Sequence, residues 1–145
     1  MSECIIFCKV SSRELLNRYI SIIDENSKIE IDEDEVISYD NNFFYDLNDE
    51  WSVLEDKRGD TYSVDILLKM ASDNELIYSY VDEDMLDGEL VVIKNGNVVR
   101  KLYDYYYTPE LSINSGVIEY EKQNKLEKWS DIGLYVEYLY EKLEE

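Results

Sequence analysis

The chain has 145 residues, 45% of them hydrophobic, with only five glycines and one proline; this fits one ordinary core over residues 1–145 and argues against disorder or low-complexity linkers. Asp and Glu number 34 against 14 Lys and Arg, a formal net charge of −20, which sets the molecule against nucleic acid and anionic lipid and favours a basic partner. Histidine is absent, which removes the commonest general acid–base, the Ser-His and Cys-His pairings and most zinc constellations.

Residues Cys4–Val10 (CIIFCKV) read as a short buried strand. Cys4 and Cys8 would share one face of it and cannot bridge along the same strand, so two buried thiols in a reduced cytosol are expected. No basic start with a long apolar stretch stands at the N-terminus, and no apolar run approaches the ~20 residues of a membrane span. A cytoplasmic location without membrane contact is therefore expected.

A helix over 12–25 is signalled by a Ser11-x-x-Glu14 capping box, a Val10–Leu15 staple and Leu15, Leu16, Tyr19, Ile20, Ile22 and Ile23 at helical spacing, with a stop near 24–27. Residues 29–56 hold eleven acids and no base; Ile29, Ile31, Val36, Ile37 and Tyr39 are their apolar anchors, and Asn41-Asn42 marks a turn. The DEDE run at 32–35 must lie in water or face a cation.

Trp51–Glu55 reads as a strand and Lys57–Asp60 as a turn. Tyr62, Val64, Ile66, Leu68 and Met70 alternate, the pattern of a further strand. After a turn at Asp73-Asn74 comes a strand at Glu75–Val81; Asp87-Gly88 precedes ELVVIK (89–94), which Asn95-Gly96, the strongest short hairpin signal, joins to NVVRKL. Pro109 ends regular structure after the tyrosine-rich stretch, Val117–Tyr120 suggests an edge strand, and Ile132, Tyr135, Val136, Leu139 and Leu143 mark a terminal helix from about 130. The expected fold is α+β: an antiparallel meander running through 51–102, its inner face covered by the N-terminal and C-terminal helices.

No motif for chemistry emerges. With 34 acids some carboxylate pair always looks poised, so paired acids carry no specificity. Asp82, Asp84 and Asp87-Gly88 fail the EF-hand register, since the fifth and sixth positions from Asp82 are Leu86 and Asp87. No catalytic residue, metal or cofactor is expected. Tyrosine, at 14, is the second compositional anomaly. Three consecutive tyrosines at 105–107 cannot all point inward, and a rigid ring with a polar tip beside charge suits a binding hot spot.

The stretch from Glu75 to Leu143, with ELIYSYVDEDMLDGELVVIKNGNVVRK, DYYYTPELSINSG and the KWSDIG before the last helix, resembles small bacterial immunity proteins of polymorphic, contact-dependent toxin systems. The resemblance implies a small acidic cytoplasmic protein that neutralises a cognate toxin domain by occluding it; it transfers no site residue by position. A nuclease toxin carries a positive groove for its phosphate substrate, which an acidic partner can fill. The residues expected to carry binding are Asp82, Glu83, Asp84 and Asp87, with Asp104, Tyr105, Tyr106, Tyr107 and Glu110 as the neighbouring aromatic and acidic anchors. The competing expectations are a DNA mimic that inhibits a DNA-binding or defence nuclease, and a regulatory protein-interaction module.

Overall fold

In the computed structural model, which describes residues 2–23 and 28–144, the most apolar strand of the chain lies at the middle of its sheet. The strands are β1 (Ser2–Cys8), β2 (Glu30–Ile31), β3 (Ile37–Tyr39), β4 (Asn42–Asp46), β5 (Ser52–Asp56), β6 (Leu76–Asp82), β7 (Asp87–Lys94), β8 (Asn97–Tyr105) and β9 (Ile113–Gly116). The helices are α1 (Ser12–Ile23), α2 (Val64–Ala71) and α3 (Trp129–Glu144), with 3-10 turns at Pro109–Leu111 and Glu119–Lys122. The sheet order is β2-β3-β4-β5-β1-β6-β7-β8-β9, and every pairing is antiparallel. Two successive meanders, β2–β5 and β6–β9, thus meet only across β1.

Burial on both faces explains why β1 is apolar at successive positions rather than alternating. Cys4, Ile6 and Cys8 belong to one core, with Leu15, Leu16 and Tyr19 of α1 and Leu67, Met70 and Ala71 of α2. Phe7 belongs to the other, with Ile132, Tyr135 and Leu139 of α3. The molecule is α+β, as the sequence indicates, but the terminal helices do not share a face: the sheet is packed between α1 and α2 on one side and α3 on the other.

The alternation at 62–70 is not a strand. Ser63 accepts a hydrogen bond from the Ile66 N–H at 3.3 Å and caps α2; Leu67, Met70 and Ala71 are its buried positions, at helical spacing. The uninterrupted meander expected through 51–102 fails for the same reason, and β1 rather than the next segment pairs with β5. The edge strand expected at Val117–Tyr120 lies earlier, at β9. Gly116, at φ +78° and where a Cβ would lie 2.1 Å from the Val99 carbonyl oxygen, ends it.

Other expectations hold in part. The Asn95-Gly96 hairpin has positive φ at both residues, +52° and +76°, and joins β7 to β8. Asp40-Asn41 makes the two-residue turn between β3 and β4, with φ of +51° and +64°, one residue before the expected Asn41-Asn42; Asn42 is buried and donates to the Tyr19 hydroxyl. Ile37 and Tyr39 are buried, whereas Ile29 and Ile31 are exposed on and beside an edge strand. Ser11 Oγ accepts from the Glu14 N–H at 3.1 Å, but the Glu14 carboxylate turns to Arg18, leaving half a capping box. The expected stop of α1 near 24–27 lies outside the described residues.

Candidate functional site

A tight turn between β6 and β7 brings the expected acids together. Asp82 and Asp87 face each other across the pair, and Asp82 Oδ1 accepts the N–H groups of Asp84 and Met85 at 3.0 and 3.2 Å, an Asx-type turn that Leu86 completes at φ +55°. Asp87 in turn pairs with Tyr105 on β8, and the Tyr106 N–H reaches the Leu86 carbonyl at 3.4 Å. The Tyr105 N–H donates to Ser112 Oγ at 3.0 Å, which draws in the Pro109–Leu111 turn that bears Glu110. The expected acids and tyrosines therefore gather at one end of the sheet.

They are not equivalent there. Residues directly opposite on paired strands share a face, so Asp82, Asp87 and Tyr105 line one side and Asp104 the other. Asp104 Oδ2 accepts the Trp129 N–H at 2.8 Å, while Asp131 Oδ2 takes those of Glu127 and Lys128; together they fix the start of α3, where a negative charge suits the helix dipole. The Tyr105 hydroxyl donates to Glu89, a carboxylate only 8% exposed that also accepts from Tyr78 at 2.7 Å. Burial first, then the Glu89 carboxylate, raises both phenols above their ordinary range. Asp104 and Tyr105 thus hold the fold together.

Tyr106 and Tyr107 stay 64% and 63% exposed, edge to face at 5.1 Å between ring centres; Met85 and Leu111, on the two adjoining turns, are exposed too. Glu83, Asp84 and Glu110 are exposed as well. Burial raises the Asp87 carboxyl above its usual range, with Asp82 and Asp104 adding like-charge repulsion. The end of the sheet combines crowded negative charge with a rigid exposed aromatic pair.

An aromatic row crosses the sheet from β6 to β9. Tyr80, Glu89, Tyr103 and Ile113 stand opposite one another across β6 to β9, and all but Glu89 keep some exposure. Period-two tyrosines at 78, 80, 103 and 105 were its signal. Elsewhere, Cys4 and Cys8 are free and buried; burial pushes the Cys8 thiol up to about 12 and the Cys4 thiol well above its ordinary value, so neither is a ready nucleophile. Among the described residues no group of three His, Cys, Asp or Glu is placed to hold a metal ion, and no helix is long and apolar enough to cross a membrane. No family model matches the chain, and no curated protein or solved structure matches it.

Proposed function

We propose that the protein is a non-catalytic inhibitor of the immunity type, which binds a basic toxin domain and occludes its active site. The observation that supports this is the convergence of the Asp82–Asp87 turn with exposed Tyr106 and Tyr107 at one end of the sheet. Charge alone gives fast but weak association, since exposed charges are screened beyond roughly 8–10 Å at physiological salt. Slow dissociation needs desolvated anchors, and two rigid phenols, with apolar Met85 and Leu111 on the adjoining turns, suit that role.

Binding kinetics at two salt concentrations test the reading, the partner being whatever toxin domain the neighbouring gene encodes. Glu83→Gln, Asp84→Asn and Glu110→Gln combined should lower the association rate and flatten its salt dependence. Tyr106→Ala or Tyr107→Ala should raise the dissociation rate by an amount worth about 2 kcal/mol. Unchanged kinetics in folded variants would move the interface elsewhere, first to the acidic 30–56 stretch. Equal affinity for several unrelated DNA-binding proteins would instead favour a nucleic-acid mimic.

A further inference from the structure

On the face opposite α1 and α2, α3 leaves a groove between itself and strands β1 and β5. Ile132, Tyr135 and Leu139 pack down onto the sheet. The neighbouring stripe of Trp129, Gly133, Val136 and Tyr140, at i, i+4, i+7 and i+11, borders a cleft of about 590 Å³, within the size range of ligand pockets. Its floor includes Ile5 and Val81, and its lining includes four carboxylates, Glu3, Glu55, Glu83 and Glu137, and no Lys or Arg. Glu55 also meets Lys57 at 3.0 Å. Gly133 stands in the middle of the helical stripe, and a Cβ there would meet nothing within 4 Å. Neither packing nor backbone conformation asks for glycine at a position where it weakens the helix; its effect is to keep the groove open.

We propose that this groove receives an arginine side chain carried by a segment of a basic protein partner. The apolar floor suits the methylene stem. The ring of Trp129, one turn before Gly133, suits a stacked guanidinium, and the carboxylates suit its fork of donors; Tyr140, three turns away, already meets Phe7 edge to face and bonds Tyr45. A lysine ammonium can sit over a ring, as Lys101 does over Tyr103, but cannot stack flat on it or offer a planar fork to a carboxylate. The inference rests on the inhibitor reading above and names the group that the partner inserts, on a surface that shares only Glu83 with the turn and the exposed tyrosines.

The test is a titration of the ¹⁵N-labelled full chain with the peptide acetyl-Leu-Arg-Leu-Arg-amide and with its citrulline counterpart, neutral and nearly isosteric. The arginine peptide should shift the amides of Gly133, Val136 and Glu55 saturably, and the citrulline peptide should bind at least tenfold more weakly. Gly133→Leu, which fills the groove, should weaken binding at least tenfold; Glu3→Gln with Glu137→Gln, both exposed, should weaken it severalfold in a chain whose packing is untouched. Tyr106→Ala and Tyr107→Ala should leave peptide binding unchanged. Loss of toxin binding in the tyrosine variants thus reports on the sheet end alone, and loss in Gly133→Leu on the groove. Equal affinity for the citrulline peptide, shifts spread over residues 32–35 without saturation, or full affinity in the Glu3→Gln, Glu137→Gln chain would overturn the proposal.

Discussion

Arg100 is 2% exposed on β8, and its guanidinium joins three separate segments. Nε donates to Glu121 at 2.7 Å, Nη1 to Asn114 Oδ1 at 2.8 Å and to the Ser115 carbonyl at 2.9 Å, and Nη2 to the Leu126 carbonyl at 2.8 Å. It is the internal ligand that holds β9, the Glu119–Lys122 turn and the chain leading to α3 against the sheet. Arg100→Met should cost about 3 kcal/mol, the lower end of what removing one partner of a buried pair costs, because Glu121 keeps some contact with water. Arg100→Lys should rescue little, since one ammonium cannot reach those acceptors; urea unfolding of both variants checks this. Neither the burial of Arg100 nor the role of Asp104 was legible: an arginine in a strand reads as solvent-facing, and a carboxylate that caps a helix 25 residues later looks like any other acid beside tyrosines.

At the scale of elements, the error at 62–70 shows why a dense apolar run is ambiguous. Tyr62, Val64, Ile66, Leu68 and Met70 fit period two, yet Leu67, Met70 and Ala71 fit a helical face equally well. The deciding signals were Ser63 as a cap, Asp65 in the first turn and Lys69 in the last. The Asn95-Gly96 hairpin was legible because Asn-Gly chemistry is local. The seating of α3 was not, because it depends on Gly88, paired across the sheet with Val81 and Asp104. A Cβ at Gly88 would lie 2.8 Å from Trp129 Cα and Cβ and 2.9 Å from Ile132 Cδ1. Gly88→Ala should therefore push the first turn of α3 off the sheet and cost about 1–3 kcal/mol, as overpacking does. A lowered denaturant midpoint with altered tryptophan fluorescence is the expected outcome; unchanged values would mean that α3 adjusts freely.

For the whole molecule, a net charge of −20 makes like-charge repulsion the main electrostatic term against compactness. Asp87 concentrates that effect. Its folded-state carboxyl holds its proton to higher pH than the unfolded one, for reasons of burial and of Asp82 and Asp104 nearby. Between the two values the folded chain binds more protons, so stability falls as pH rises through that window and returns as pH falls. Asp87→Asn should raise the melting temperature at pH 7, and the gain should shrink toward about pH 4, where the unfolded carboxyl also begins to protonate. Thermal melts at the two pH values measure it, and a gain independent of pH would show that the charge is not its source. Acidity and the α+β class were legible at this scale from composition and periodicity. The strand order was not, because the place of β1 depends on pairings that no local pattern encodes.

That place has a consequence for how the chain assembles. β1 is made first, but Cys8 lies opposite Ser52 on one side and Leu76 on the other, whereas β6, β7 and β8 are linked by short hairpins. Loop-closure entropy favours the local pairings, so the two meanders are expected to form before the N-terminal strand enters between β5 and β6, closing the seam last. The open slot is then one that the first strand of a neighbouring copy could fill, and strand-exchanged dimers at high refolding concentration, read by size-exclusion chromatography, are the expected misassembly.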